Sequence, residues 1–515
     1  MASAAPAPIP VAVDDTPIAP SRRMLACIVL ALSNFMVVLD LTIANVSVPH
    51  IAGSLGISLD QGAWIITSYA VAEAICVPLS GWLSQRFGAV RVFTMAMFGF
   101  GLFSLMCGLS VSLSMLVICR IGQGVCGAPL MPMSQTLMLR IFPPEKRGMA
   151  MGIWAMTTLL GPAIGPIIGG AISDNMSWHW IFLINIPVAM GCTVAAYALL
   201  RPAETEVRKV PIDVVGLGLL IFWIGCLQIV LDIGRDHDWF ADPMILSLAI
   251  MSGLGFCVFI IWELTEEHPV VDLRIFRHRG FTAAVLALAL AFGSYFAGIV
   301  IIPQWLQSSM GYTATDAGLV TAFTAMSALV TSQIAARLIG KVDARIMVSG
   351  AVVWLGLMTL LRAQWTTEAD FWTLAMPQIL QGFAMSFFIV PLTSISLSAV
   401  RPDEIASAAG LQSFLRTMAV AISTSVALTF WGNAERAAHS EIASTLNPDA
   451  AMNALSGAGF SMEQGRAVVA NIVTKESTMV AVDQTFMVAA IVLFIAAALV
   501  WLSPPPRKVD TSAAH

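Results

Sequence analysis

The sequence predicts an all-α polytopic membrane protein with 14 transmembrane helices, arranged as two six-helix bundles with two further helices inserted between them. Three observations lead to this prediction. The composition is too apolar for a soluble domain, the chain contains fourteen apolar runs of membrane-spanning length, and one motif recurs at a separation longer than six spans. Lipid is therefore expected to surround most of the chain.

The composition excludes an ordinary soluble domain. Of the 515 residues, 58% are hydrophobic and 11% are charged, whereas about 25% of the residues in soluble domains are charged. A hydrocarbon core of about 30 Å requires roughly 20 apolar residues per helix. Such runs lie approximately at 24–45, 62–83, 90–110, 113–135, 148–171, 178–200, 213–232, 243–262, 280–306, 315–336, 346–361, 371–397, 406–430 and 484–503.

The distribution of lysine and arginine predicts the orientation of these spans. Cytoplasmic loops concentrate these two residue types, and 19 of the 26 fall on one side when the N-terminus is placed in the cytoplasm. Both termini are then expected to be cytoplasmic. The net charge of −5 and the absence of a large basic cluster argue against a nucleic-acid partner.

A motif in the fourth span recurs in weakened form 258 residues later. The segment from Arg120 to Gly124 reads RIGQG, and the segment from Gln378 to Gly382 reads QILQG. The dipeptide Pro144-Glu145 is matched at the same separation by Pro402-Asp403. Two matches at one separation indicate duplicated halves. Because 258 residues exceed six spans, two helices are predicted between the halves.

These features divide the chain into five parts. We expect a disordered tail at 1–23, a six-helix bundle at 24–200, two inserted transmembrane helices with linkers at 201–279, a second six-helix bundle at 280–503 and a tail at 504–515. The second bundle includes an external segment, 431–483, of about 50 residues. Loops of this length are usually functional or disordered, so the segment either docks a partner or is merely solvated.

Ionisable residues inside the spans are the first functional candidates, because a charge at mid-membrane costs at least about 2.5 kcal/mol. At a rise of about 1.5 Å per residue, Asp40 and Arg120 lie at similar depths and could form a pair. Glu73 falls near the midplane, with no cation predicted at its depth. Arg416 lies in the thirteenth span.

A buried carboxyl group favours its neutral form, and a nearby arginine favours the charged form. A proton and a substrate can therefore compete for such an acid. We assign proton coupling to Asp40, Glu73 and Arg120, and favour Glu73 as the proton carrier. The alternative is a static Asp40–Arg120 pair, with Glu73 facing a water pocket.

Other polar residues in the spans are candidates for contact with a substrate. Glutamine side chains in spans hydrogen-bond either a ligand or another helix, and the sequence leaves both open. The predicted cavity residues are Gln123, Gln304, Gln381, Gln412 and Arg416.

The fifth span carries a stripe of glycines interrupted by prolines. Glycines at i, i+4 and i+8 allow another helix to approach closely, and each proline removes a hydrogen bond and bends the helix. A simple dimerisation face would not need the prolines. The residues are Gly161, Pro162, Gly165, Pro166, Gly169 and Gly170.

The loop between spans two and three combines glycines with two cations. Its residues are Gly81, Gln85, Arg86, Gly88 and Arg91. On physical grounds alone, the cations are also explained by the ordinary positive-inside bias.

These motifs resemble the signatures of major facilitator drug:proton antiporters. The resemblance rests on the loop from Gly81 to Arg91, on Arg120-x-x-Gln123-Gly124 and on the stripe from Gly161 to Gly170. The segment from Leu39 to Val46 is similar to the first-helix signature of the fourteen-span branch. Further stretches are similar to its EmrB-type members, and the similarity runs from about 24 to 503. The loop departs from the pattern at Gln85, where an acid is usual.

The resemblance implies an inner-membrane pump of Gram-negative bacteria that exports lipophilic compounds in exchange for protons. It also implies a periplasmic adaptor of the EmrA type and an outer-membrane channel of the TolC type, with 431–483 as the periplasmic docking segment. The expected substrates are cationic or neutral lipophilic compounds. The rival reading is export of one specific metabolite, such as a siderophore, a fatty acid or a self-made antibiotic.

The sequence carries no motif for other energy sources or chemistries. No G-x-x-x-x-G-K-[ST] segment is present, which argues against ATP as the energy source. Neither G-x-S-x-G nor H-E-x-x-H occurs, so we expect no enzyme activity, no metal and no cofactor. The mechanism that we expect is alternating access, in which two halves rock about a midplane site.

Overall fold

A computed structural model gives the structure of the protein and describes residues 17–207, 211–338, 342–401 and 404–504. Most of the predicted tails 1–23 and 504–515 and the whole of Pro402-Asp403 lie outside these ranges. The described residues form eighteen α-helices. They are α1 (Pro20–Leu55), α2 (Leu59–Cys76), α3 (Leu79–Phe87), α4 (Ala89–Gly108), α5 (Leu113–Gly127), α6 (Leu130–Ile141), α7 (Pro144–Asn175), α8 (Trp180–Leu183), α9 (Asn185–Leu200), α10 (Val214–Ile233), α11 (Pro243–Thr265), α12 (Arg279–Ser309), α13 (Ala314–Leu338), α14 (Ala344–Arg362), α15 (Phe371–Ser398), α16 (Ile405–Thr445), α17 (Pro448–Gly457) and α18 (Met462–Leu499).

Helices occupy all fourteen predicted span positions. Within the described residues, eleven helices are long and apolar enough to cross a membrane, or twelve if the bent pair α2 and α3 counts as one span. The two remaining predicted spans, 148–171 and 315–336, lie within α7 and α13. That these two helices also cross the membrane stays a prediction.

The helices pack as two bundles with an inserted pair. In the first bundle, α1 packs against α7 and α9, α2 against α5, and α4 against α5 and α9. In the second, α12 packs against α16 and α18, α13 against α15, and α14 against α15 and α18. The inserted helices α10 and α11 pack on each other, and α10 also touches α2 and α16.

The two bundles meet mainly along α7 and α13. Small and branched apolar side chains form part of this contact, with Ala322 and Ala325 against Leu160 and Ile167. A second contact brings α16 of the second bundle against α3 and α6 of the first. A relative movement of the bundles would therefore change the distances between charged residues near these two contacts.

The second predicted span is a bent helix pair rather than one straight helix. It begins at α2, where the Ser58 side chain accepts a hydrogen bond from the Gln61 backbone and the Gln61 side chain accepts one in return. Pro78 cannot donate a backbone hydrogen bond, and the axis turns by 58° between α2 and α3. Glu73 lies one turn before this break.

The segment 431–483, predicted as a long loop, is helical over most of its length. Helix α16 has 41 residues and α18 has 38, so at about 1.5 Å per residue each is about twice as long as a hydrocarbon core is thick. The Thr478 hydroxyl donates to a Glu435 carboxylate oxygen at 2.5 Å and joins the two extensions. With α17 between them, they form a helical hairpin that we call the α16–α18 hairpin.

Candidate functional site

A closed polar network surrounds Asp40 in the first bundle. Arg120 donates to Asp40 Oδ2 at 2.6 Å, and both side chains are fully buried. The other carboxylate oxygen, Oδ1, accepts from Gln123 at 3.0 Å and from Asn185 at 2.7 Å. Both oxygens of Asp40 therefore have donors, and the ionised form is compensated by an adjacent cation.

Besides α1, groups from α2 and α8 contact Arg120. Its Nε donates to the Ile65 carbonyl at 3.0 Å, and its guanidinium lies 4.4 Å from the centre of the Tyr69 ring and 5.6 Å from that of Phe182. Gln123 and Asn185 each also donate to the hydroxyl of Ser104. The network therefore ties α1, α2, α4, α5, α8 and α9 together, and Asp40 and Arg120 act as a positioning pair at its centre.

Glu73 differs from Asp40 because its carboxylate has no hydrogen bond or ion pair within the described part of the chain. It lies on α2 and is 6% exposed. The charged groups that act on it are Arg416, Arg120 and Asp40. The sequence predicts no cation at the depth of Glu73, but α16 of the second bundle contacts α2 and carries Arg416, whose charge acts on this carboxyl group. The sequence could not reveal which helix faces α2.

Arg416 is also held by apolar and aromatic neighbours. Its guanidinium lies 5.5 Å from the centre of the Phe292 ring on α12 and contacts the sulfur of Met131 on α6. The side chain is 8% exposed. Because α16 belongs to one bundle and α2 to the other, the attraction between Glu73 and Arg416 acts across the contact between the bundles.

The predicted cavity glutamines have different surroundings. Gln123 belongs to the Asp40 network, and Gln412 is buried on α16, where its side chain is bonded to Ser396 at 2.5 Å and to Thr393 at 3.3 Å. Gln304 is exposed near the end of α12 and does not line the cavity found in this bundle. Only Gln381 lines that cavity.

This cavity lies among α12, α13, α14 and α15 of the second bundle and has a volume of about 370 Å³, including its open mouth. Arg362 enters it from the last residue of α14 and donates to Gln378 Oε1 at 2.8 Å. The same oxygen accepts from the Thr324 hydroxyl at 3.1 Å. The lining residues are Tyr295, Gly298, Ile299, Ile302, Thr321, Thr324, Ala325, Arg362, Gln378 and Gln381.

The glycine stripe of the fifth span packs within the first bundle. A Cβ atom added at Gly161 would lie 2.6 Å from Val38 Cγ1, one at Gly165 would collide with the Thr42 hydroxyl, and one at Gly169 would lie 2.9 Å from the Ile43 carbonyl. The helix that approaches closely is therefore α1. Gly170 is buried, and the side chains of Pro162 and Pro166 lie outside what the structure describes. The predicted bend stays a prediction.

The loop between spans two and three receives its acid from elsewhere in the chain. Gly88 has φ 93°, and a Cβ added there would lie 2.5 Å from Glu204 Oε1. Glu204 follows α9 and accepts from the backbone of Val90 at 2.9 Å and of Arg91 at 3.2 Å, at the start of α4. Its carboxylate also lies 3.9 Å from Arg91 Nε. Glu204 thus brings a negative charge to the start of α4, beside Arg91.

The remaining members of this loop motif lie on α3. Gly81 is buried, and Gln85 and Arg86 are partly buried. Helix α3 packs against α16 of the second bundle. The loop motif therefore lies beside one of the two contacts between the bundles.

Sequence reasoning missed several polar residues of these sites. Neither Asn185 nor Arg362 is among the candidates that the sequence offers, although both side chains are buried. The separation of 258 residues could have found Arg362, because it places this residue opposite Ser104 in the Asp40 network. No comparable pattern pointed to Asn185.

Comparison of the sequence with known proteins identifies the family of this chain. Residues 30–424 match the family model described as Major Facilitator Superfamily. The chain is 41% identical over 497 residues to the multidrug export protein EmrB of Escherichia coli K12, covering 95% of this chain and 97% of that protein. It is 38% identical over 482 residues to the fatty acid resistance protein FarB of Neisseria gonorrhoeae, covering 93% and 95%.

A solved structure has a similar fold at low sequence identity. It is a bacterial homologue of the human lysosomal transporter Spinster, in an inward-facing and unoccupied conformation. The TM-score is 0.54 at 14% identity, with 94% of this chain and 97% of that chain covered. The chain therefore belongs to the Major Facilitator Superfamily and is a membrane transporter rather than an enzyme.

Proposed function

We propose that the protein exports drug-like lipophilic compounds in exchange for protons, by alternating access of its two bundles. The observation that carries this proposal is Glu73, a buried carboxyl group that has no hydrogen-bond partner among the described residues. Arg416 acts on it across the contact between the bundles. The similarity to EmrB supports the class of substrate.

Protonation of Glu73 removes the negative charge that attracts Arg416 of the opposite bundle. When Glu73 is ionised, its attraction to Arg416 favours the arrangement in which α2 and α16 are close. When a proton or a cationic substrate neutralises it, that attraction is lost and the bundles can separate. The proton and the substrate compete for Glu73, and this competition couples their transport.

Asp40 has a different role in this mechanism. Because both of its oxygens already have donors and Arg120 compensates its charge, we assign it to holding the first bundle in one piece. The glycine stripe joins α1 to α7 in the same bundle, so the bundle moves as a unit.

Substrate-triggered proton release from protein in proteoliposomes tests the assignment. Several unrelated lipophilic drugs should each release protons from the wild-type protein, and Glu73→Gln should abolish the release. The matched control is Glu263→Gln, because Glu263 is a fully buried acid on the inserted helix α11, outside both bundles. Release should persist in this control.

The other outcomes assign the function differently. Release that persists in Glu73→Gln and disappears only in Asp40→Asn would transfer the coupling role to Asp40. If no drug triggers release, the alternative function gains support, namely export of one specific metabolite such as a siderophore, a fatty acid or a self-made antibiotic. The similarity to the fatty acid resistance protein FarB favours a fatty acid among these.

We further propose that the protein lies in the bacterial inner membrane with both termini in the cytoplasm, and works with an EmrA-type periplasmic adaptor and a TolC-type outer-membrane channel. In this orientation the α16–α18 hairpin projects into the periplasm, where it can dock the adaptor. Replacing α17, Pro448–Gly457, with a Gly/Ser linker should abolish co-purification of the adaptor. Unchanged co-purification would exclude docking at this tip.

A further inference from the structure

The two bundles align residue by residue at the separation of 258, beyond the two motifs that revealed it. Helix α5 begins at Leu113 and α15 at Phe371, and the starts of α12 and α14 lie within three residues of the positions that correspond to the starts of α1 and α4. The contacts repeat as well. A Cβ at Gly124 would lie 2.5 Å from the Tyr69 carbonyl, and one at Gly382 would collide with Ser327, the repeat-related partner of Tyr69.

This alignment pairs the Asp40 network with the cavity of the second bundle. Four residues of the network have repeat-related counterparts, and all four counterparts line the cavity. The pairs are Asp40 with Gly298, Ser104 with Arg362, Arg120 with Gln378, and Gln123 with Gln381. The cavity thus corresponds to the Asp40 network, but it has Gly298 in place of the Asp40 carboxylate.

Arg362 has no acidic partner at this site. Within the described residues it makes no ion pair, its Nε has no hydrogen-bond partner, and its side chain is 3% exposed. A Cβ added at Gly298, where the first bundle has Asp40, would lie 3.8 Å from Arg362 Nη1. Space for a carboxylate is therefore present beside a buried cation that lacks one.

Two further polar groups beside Arg362 are also unpartnered. In the described part of the chain, Gln378 Nε2 and Gln381 Oε1 are buried without a hydrogen bond, and each glutamine is 3% exposed. Buried polar groups are normally paired, and an unpaired buried cation is especially costly. Gln381 can present its amide nitrogen instead of its oxygen, because the two ends of an amide are interchangeable by a flip. The site thus offers one cation and two amide donors.

We propose that this cavity binds the carboxylate of a lipophilic acid, which takes the place that Asp40 occupies in the first bundle. Arg362 and Gln378 hold the carboxylate, and the apolar chain runs along Ile299, Ile302 and Ala325. The inference rests on the proposed export function and adds acidic compounds to its substrates.

Equilibrium binding of radiolabelled decanoate to the full-length protein in lipid nanodiscs tests this proposal. Decanol and decylamine are matched probes that lack the negative charge, and decanoate should bind at least about tenfold more tightly than either. Arg362→Gln and Gly298→Asp should each weaken decanoate binding by about tenfold or more, the second because it places a carboxylate inside the protein.

Control variants separate a lost site from a misfolded protein. Arg345→Gln removes a cation from the opposite end of α14, where it pairs with Asp343, and should leave decanoate binding unchanged. Gly298→Asp should also raise the melting temperature, since Arg362 gains a partner. Equal binding of decanoate and decanol, or unchanged decanoate binding in both cavity variants, would overturn the proposal.

The same experiment separates this inference from the proposed function. Nanodiscs hold no proton gradient, so decanoate binding does not depend on proton exchange at Glu73. Decanoate binding that depends on Arg362, in a protein that releases no protons with any drug, would keep the carboxylate site and reject multidrug exchange. Drug-triggered proton release without decanoate binding would support multidrug exchange and reject the carboxylate site.

Discussion

The Asp40 network of the first bundle and the cavity of the second occupy repeat-related positions, 258 residues apart, but differ in their negative charge. In the first bundle, Asp40 compensates Arg120, and both oxygens of Asp40 accept hydrogen bonds, while Arg120 Nη2 and the Tyr69 hydroxyl are buried without a hydrogen-bond partner in the described chain. In the second, Gly298 stands in the position of Asp40, and Arg362 has no acidic partner in the part of the chain that the structure describes. Duplicated halves can therefore keep one backbone plan while one half becomes structural and the other stays open to a ligand.

The largest expected effect comes from breaking the closed network. Arg120→Gln leaves the Asp40 carboxylate buried without its cation, and breaking a buried pair from one side costs about 3–5 kcal/mol. We expect a strong fall in the melting temperature of the purified protein and loss of transport. The repeat-related change Gln378→Leu is the control, since it removes no charge. A similar loss of stability in both variants would contradict the comparison.

A smaller loss of stability is expected from substitutions at glycines where two helices of one bundle pack closely together. Gly165 of α7 faces Thr42 of α1, and Gly293 of α12 faces Ser423 of α16, which is the repeat-related partner of Gly165. Gly165→Leu and Gly293→Leu should each destabilise the protein by about 1–3 kcal/mol, because both overpack a close crossing. Thermal unfolding checks this. Normal stability and normal drug export in Gly165→Leu would show that the crossing tolerates a side chain.

The next effect has the opposite sign. Gly298→Asp restores the missing carboxylate and should stabilise the second bundle by about 1 kcal/mol, through a charged hydrogen bond with Arg362. The measurement is the melting temperature in the absence of ligand. Gly298→Asn is the control, because it adds similar volume without the charge. A larger gain from asparagine than from aspartate would mean that filling the cavity, rather than pairing Arg362, gives the stability.

The smallest effect is expected from removing the unpaired cation. Arg362→Gln should not destabilise the protein, in contrast to Arg120→Gln, because it removes an unpaired buried charge and leaves none behind. Thermal unfolding of the two variants side by side measures the contrast. Equal destabilisation would mean that Arg362 has a compensating partner in the resting protein.

The fold could be predicted largely from local features of the sequence. Apolar runs of about 20 residues report spans directly, because each helix must satisfy its own backbone and match the bilayer thickness. The segment 431–483 was harder, because its helices continue beyond the bilayer, where length and hydropathy no longer distinguish helix from loop. In that segment, helix caps such as Ser461 with Gln464 at the start of α18 are the local sequence feature that indicates a helix.

The polar sites could be predicted only in part. The depths of Asp40 and Arg120 followed from the helical rise, and the structure brings the two together. The same reasoning failed for Glu73, since Arg416 reaches it from the other bundle. It also failed for Arg362, which ends α14 near the boundary of a predicted span but points into the bundle.

The sequence by itself determined the environment of the chain, the places of its helices and the duplication of its halves. These properties depend on the composition and spacing of neighbouring residues, which lipid and backbone hydrogen bonding constrain locally. Only the tertiary structure decided which charges meet: Asp40 with Arg120, Glu73 with Arg416, and Arg362 with no acid in the described chain. Which charged side chains lie close together depends on how each helix is rotated about its axis and on which helices it contacts. Packing between helices determines both.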